Sequence, residues 1–177
     1  MQELKYFKMY PNVKDLCFAT PQSACLDVCA FFGHTDVQFV TTYTRDNVKT
    51  GFLAIRDNPM NNHETFNILP GDRALIPTGI ILDIPEGYSV RVHCRSSVAL
   101  KQGLTLSNNE GIIDSDYVEQ LYIMVTNTSN DTVKINSGDR IAQIELIPKL
   151  DYKISTIDAR PGQKTSRNGG FGSTGVR

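Results

Sequence analysis

Residues 88–95 read YSVRVHCR, and the fold class turns on this stretch. Tyr88, Val90, Val92 and Cys94 fall on one side of a two-residue repeat, and Ser89, Arg91, His93 and Arg95 on the other. Strict alternation of this kind marks a half-buried strand. Outward from it, turn-forming residues recur at short intervals: Pro70-Gly71, Pro77-Thr78-Gly79, Pro85-Glu86-Gly87 and Ser137-Gly138-Asp139. Further strands are expected at 121–126 (LYIMVT) and 141–147 (IAQIELI), the first apolar on both faces and therefore central. Many short strands with turns so spaced predict an all-β sandwich, jelly roll or closed barrel. One helix is expected, over 97–103 (SVALKQG), capped by Ser96 or Ser97 and ended by Gly103.

The 177 residues carry 18 Lys and Arg against 19 Asp and Glu, a net charge of −1. No overall basic field attracts nucleic acid or a membrane surface, so any anion site is a local cluster. No apolar run has the length of a membrane span. The stretch MQELKYFKMY lacks the charged and apolar regions of a secretory signal, and a soluble intracellular (cytoplasmic) protein is expected. Cys17, Cys25, Cys29 and Cys94 form no CxxC and have no histidine at ligand spacing, which does not suggest zinc. They are expected as buried, reduced small hydrophobes.

Two segments differ from the rest. Residues 41–66 are polar and irregular around one possible strand, 51–55, and suggest an inserted arm in a β domain of residues 1–157. Residues 158–177 hold five of the thirteen glycines and suggest a flexible C-terminal segment. Within it Phe171 stands alone in GGFGSTG, where an aromatic can stack on a planar ligand while amides and hydroxyls reach phosphates.

Four constellations can carry chemistry. RSSVALKQGL (95–104) places a guanidinium and two hydroxyls before a helix, which serves equally as a phosphate cradle or an ordinary capped helix. SGDRIAQIEL (137–146) brings Arg140 and Gln143 from a turn into a strand; alone it reads first as a hairpin with a salt-bridged Arg. SACLDVCA (23–30) sets Asp27 in an apolar strand, where an unpartnered carboxylate is costly; its partner is an Arg or a metal's water shell. NNEGIIDSDY (108–117) surrounds Ile112 and Ile113 with Glu110, Asp114 and Asp116. Of the histidines, His93 reads as a partly exposed structural residue rather than a base.

The order of these fragments, SACLDV, RSSVALKQGL, NNEGIIDSDY, GDRIAQIEL and RNGGFGSTG, closely resembles the five ordered motifs of the trimeric dUTPases (deoxyuridine triphosphate nucleotidohydrolases). The resemblance runs from about Ala19 to the C-terminus, the arm excepted. It implies a distorted jelly-roll β-barrel or sandwich with one short helix, assembled as a homotrimer with shared active sites. The C-terminal segment would close over bound nucleotide. The implied activity is Mg2+-assisted hydrolysis of dUTP to dUMP and pyrophosphate, with no nucleic-acid or membrane partner.

The site residues follow from the resemblance. Asp114 matches the carboxylate that orients the attacking water, with Gln143 and Ser96 as its catalytic companions. Arg95, Ser96 and Ser97 match the phosphate loop, Ser96 near the α–β bridge. Asn108, Gly111, Ile112 and Ile113 match the uracil-reading hairpin, and Tyr117 the aromatic beneath the deoxyribose; Tyr122 joins the substrate set. Arg167, Phe171, Gly172 and Ser173 fall in the closing segment, with Phe171 stacked on uracil. Asp27 matches the motif-one aspartate, supporting the metal through water only. Glu110 has no motif role and is expected to be solvated; Asp116 is expected to support a turn or an ion pair.

The chain departs from the pattern at Cys25 and Ser97, where glycine is usual, at Val118-Glu119 in place of Arg-Gly, and by one residue fewer after Arg167. The related dCTP deaminases, mono- or bifunctional, share the fold and the RSS loop, but IIDSDY sides with dUTPase. A dUTPase-fold regulatory binding protein is a third reading; a pure binder has no reason to keep Asp114, Tyr117, Arg95 and Gln143 together.

Overall fold

The structure, a computed structural model, describes residues 2–33, 39–53, 55–56, 64–166 and 169. In chain order the strands are β1 (Lys5–Lys8), β2 (Cys17–Phe18), β3 (Leu26–Cys29), β4 (Phe39–Tyr43), β5 (Lys49–Leu53), β6 (Ile55–Arg56), β7 (Glu64–Ile68), β8 (Arg73–Asp83) and β9 (Tyr88–Cys94). The helix α1 (Ser96–Gln102) follows, then β10 (Leu104–Leu106), β11 (Gly111–Ile113), β12 (Gln120–Asn127), β13 (Val133–Asn136) and β14 (Arg140–Pro148).

These strands form three sheets. The first runs β10-β12-β8-β4-β5, with β1 on the far end of β8; the second runs β11-β9-β14-β3-β2; the third is β13-β7-β6. Every pairing is antiparallel. One apolar core joins all three, drawing Ile76 and Ile80 from β8, Ile123 from β12, Val90 from β9, Ile144 from β14 and Ile68 from β7. Each such side chain contributes about 1.5–3 kcal/mol by leaving water. The layers are jelly-roll-like, and no closed barrel forms among the described residues.

The alternation in 88–95 is realised as β9, which buries Val90 and Val92 while Arg91 and His93 turn outward. β12 lies between β10 and β8 as its composition predicts, but its second face is not buried. Leu121, Ile123 and Val125 enter the core, whereas Tyr122 and Met124 are 38% and 43% exposed and wall a pocket. A pocket wall can have the same apolar composition as a core face, which is why the sequence reads as buried on both sides.

The helix begins at Arg95 in extended conformation with no side-chain cap, so neither serine caps it. Gly103 ends it at φ 65°, and a Cβ there would stand 2.7 Å from Ser129 Cβ. The region read as an irregular arm holds more sheet than the single strand expected, since β4 and β5 form a hairpin along β8 and β7 pairs with β13. Residues 34–38, 54 and 57–63 lie outside the described residues. The cysteines are less buried than expected. Cys17 is exposed, Cys25, Cys29 and Cys94 are half-buried, and all four are free thiols.

Candidate active site

β11 is an outer strand of the second sheet, fixed by the pairings Gly111 with Val92 and Ile113 with Val90. Its approach to β9 is close: a Cβ on Gly111 would lie 2.9 Å from Val92 Cβ. The preceding turn is tight, with Asn109 at φ 60° and the Glu110 N–H donating to the Asn108 carbonyl at 2.6 Å. This geometry opens a pocket of about 300 Å³ whose lining includes Asn108, Gly111, Ile112, Ile113, Asp114, Tyr117 and Tyr122. All seven are substrate-site residues expected from sequence. Leu75, Val92, Leu106 and Met124 complete the wall.

A buried residue that the sequence did not single out, Gln120, holds the two tyrosines, one through its backbone carbonyl and one through its side-chain amide. The Tyr117 hydroxyl donates to the Gln120 carbonyl at 2.8 Å, and Gln120 Nε2 donates to the Tyr122 hydroxyl at 2.9 Å. Gln120 Oε1 in turn accepts the Gly79 N–H at 2.8 Å. Burial pushes the Tyr117 phenol pKa up, helped by Tyr122 and Glu119, so the ring stays neutral. Asp114 is exposed at the pocket rim, and its carboxylate has no partner among the described residues. Its backbone carbonyl accepts the Tyr117 N–H at 3.2 Å, closing the turn. Asp116 likewise finds no side-chain partner among the described residues. Glu110 does: Arg91 Nη1 lies 3.4 Å from its carboxylate, so it is paired rather than only solvated.

A second cluster gathers at the far end of β9. Asp27, buried to 5% exposure, takes Arg95 Nε on one carboxylate oxygen and Arg140 Nη1 on the other, each at 2.9 Å. Arg95 Nη1 also donates to the Arg140 carbonyl at 3.1 Å. The expectation that Asp27 needs a cation is thus met twice over. Arg95, Ser97, Lys101 and Arg140 border a hollow of about 440 Å³. The Ser96 and Ser97 hydroxyls are exposed and have no bonding partner among the described residues. Gln143 stands in register with both Asp27 and His93, its amide 3.5 Å from the Cys94 carbonyl. Arg140 was read mainly as a salt-bridged turn residue; it also lines this hollow. Arg167, Phe171, Gly172 and Ser173 lie outside the described residues.

The pocket and the guanidinium hollow share no lining residue. One chain therefore presents a cleft rimmed by a carboxylate that is unpartnered among the described residues and, separately, a polar cationic hollow.

The family model for dUTPase matches residues 60–175. The deoxyuridine 5'-triphosphate nucleotidohydrolase of Hydrogenobaculum sp. is 41% identical over 111 residues, 62% of this chain and 76% of that one. Its counterpart from Chlamydia pneumoniae is 42% identical over 116 residues, 66% of this chain and 80% of that one. Among solved structures, the Staphylococcus bacteriophage 80alpha dUTPase with dUPNHPP superposes with a TM-score of 0.70 at 20% identity. The match covers 99% of this chain and 100% of that one. A point mutant of the dUTPase from phage phi11 of S. aureus, whose structure concerns the coordination of a structural Mg(II) ion, gives 0.64 at 19% identity. That match covers 89% of this chain and 98% of the other. With a family model spanning most of its length and relatives above 40% identity, the chain belongs to the dUTPase family.

Proposed function

We propose that this protein hydrolyses dUTP to dUMP and pyrophosphate, by attack of water on the α-phosphorus. The observation that carries the reading is the pocket itself: backbone edges of β11, a neutral Tyr117 anchored through Gln120, and at the rim an Asp114 carboxylate unpartnered among the described residues. The amides and carbonyls around Gly111–Ile113 suit a uracil edge, and a narrow hairpin there would exclude a thymine methyl. Tyr117 beneath the sugar would exclude a 2′-hydroxyl. Asp114 would accept the proton of the attacking water as its oxygen bonds to phosphorus and the bridging oxygen leaves with pyrophosphate. Arg95, Ser96, Ser97 and Gln143 would hold the triphosphate, and fixed cations and hydroxyls are what phosphoanhydride cleavage asks of a protein.

Several further points belong to this reading. A uracil pocket and a phosphate hollow that do not meet in one chain support a homotrimer in which neighbours complete each site. Past β14 the chain has no regular structure through 166, with Leu150, Tyr152 and Ile154 at 79%, 79% and 87% exposure, as expected of a segment that lies on a neighbour. The C-terminal residues Arg167, Phe171, Gly172 and Ser173 would close over the nucleotide. The domain would span 1–157 and the closing segment 158–177. For Mg2+, Asp27 fits only as an outer ligand: both oxygens already meet a guanidinium, but a carboxylate keeps lone pairs for a bridging water. The ion, held mainly by phosphate oxygens and water, would neutralise charge on the leaving pyrophosphate.

The test is pyrophosphate release from dUTP, dTTP, UTP and dCTP, for wild type and Asp114→Asn. Release from dUTP alone, falling about 10²–10⁴-fold in the variant, is expected of a lost general base. No release from dUTP, an equally active variant, or ammonia from dCTP would overturn the proposal.

A further inference from the structure

The outward face of the second sheet carries a cluster that the proposed hydrolysis does not use. Cys25, just before β3, His93 on β9 and Glu145 on β14 stand on three neighbouring strands, with their donor atoms all within 4.8 Å of one another. Each is half-buried, so the donors are held by the sheet yet reachable. The strand register fixes the arrangement: Gln143 pairs with both His93 and Asp27, and Glu145 is its next neighbour on the same face. His93 Nε2 already meets Glu145 Oε1 at 2.9 Å.

A second observation concerns the back of the imidazole. Glu110 Oε1 stands 3.9 Å from His93 Nδ1, and the same carboxylate is braced by Arg91. At that distance the carboxylate makes no hydrogen bond to the ring, but it adds negative charge that favours a cation beside His93. The charges also fit. Arg91 takes Glu110, while Arg95 and Arg140 take Asp27, so Glu145 has no partner but His93 among the described residues. A divalent ion held by one thiolate, one carboxylate and a neutral imidazole is electrically balanced.

We propose that Cys25, His93 and Glu145 form a three-ligand site for a divalent ion of the zinc class, with the fourth position open to water. Sulfur, imidazole nitrogen and carboxylate oxygen together suit Zn2+ or Co2+, whereas Mg2+ takes oxygen donors alone. Binding through sulfur needs the thiolate, so an ion entering the site displaces the Cys25 proton. An ion here ties β14 and β9 to the residue that leads into β3.

The experiment is a Co2+ titration of the reduced, chelator-treated full chain carrying Cys17→Ser, which removes the exposed thiol. Thiolate-to-cobalt charge transfer in the near ultraviolet reports sulfur ligation without substrate. The expected result is saturation at one equivalent per chain, displacement by Zn2+, loss of the band in Cys25→Ser, and affinity weakened about tenfold or more in His93→Gln and Glu145→Gln. Circular dichroism confirms folding, and Glu145→Gln, nearly the same shape, serves if Cys25→Ser does not fold. No thiolate band, a band that survives Cys25→Ser, or affinity unchanged by both His93→Gln and Glu145→Gln would overturn the site.

Discussion

Gly111 and Val92 are paired so closely across β11 and β9 that a side-chain carbon on the glycine would stand 2.9 Å from Val92 Cβ and 3.1 Å from its Cγ2. Val92 is 3% exposed and β-branched, so it has little freedom to retreat. Gly111→Ala is expected to push β11 off β9, destabilising the fold by about 1–3 kcal/mol as overpacking does. The same shift displaces Ile112, Ile113 and Asp114 at the pocket. A urea melt unchanged from wild type, together with an unchanged KM for dUTP, would show that the close approach positions nothing.

Asp27 holds Arg95 and Arg140 from a nearly buried position. Asp27→Ala leaves two guanidiniums without their anion, and the expected loss is about 3 kcal/mol of unfolding free energy. Because Arg95 borders the proposed phosphate hollow, dUTP binding should weaken as well, and more than deoxyuridine binding. Calorimetry with both ligands separates the outcomes; equal weakening of the two would place the effect on the fold rather than on phosphate contacts.

How far the sequence disclosed this molecule depends on whether the signal is local. Alternation in 88–95 is local, and β9 follows it from Val90 to His93, although Ser89 on the polar side is buried as well. The need of Asp27 for a cation is also legible, since a carboxylate among apolar neighbours has few alternatives. Its two partners were not named, because they arrive from distant parts of the chain through strand register. The same reason hid the Cys25, His93 and Glu145 cluster, since spacing rules detect ligands on one turn or hairpin, not on three paired strands. Gln120 was passed over because an amide flanking a strand looks like a surface residue until its partners are seen.

Gln120 meets three groups at once: the Gly79 N–H, the Tyr122 hydroxyl and, through its carbonyl, the Tyr117 hydroxyl. Gln120→Leu keeps the backbone carbonyl but strands the other two partners. A buried unsatisfied donor costs about 1–3 kcal/mol, and the variant should lose that much stability. Tyr122, released, loses its fixed position on the pocket wall, so the KM for dUTP should rise. Tyr117→Phe, which removes only the bond to the carbonyl, should lose about 1 kcal/mol. Identical melts for Gln120→Leu and wild type would mean that the amide supports nothing.

Cys94 gives the fold a dependence on alkaline pH. Its half-buried thiol lies 3.3 Å from the Leu104 carbonyl, and burial pushes its pKa above the ordinary thiol value despite backbone hydrogen bonds that lower it. A group that holds its proton more tightly when folded favours the folded state while it is protonated in both states. That contribution is complete below the unfolded thiol pKa of about 8.5 and is lost as pH rises through the folded value. Cys25 and Cys29 are raised in the same direction, chiefly by burial, so the wild-type slope sums three thiols. Urea midpoints measured from about pH 7 to about pH 10 should therefore decline, and decline less steeply in Cys94→Ala. Parallel curves for the two proteins would show that the Cys94 thiol titrates alike in both states, and that its burial has no part in stability.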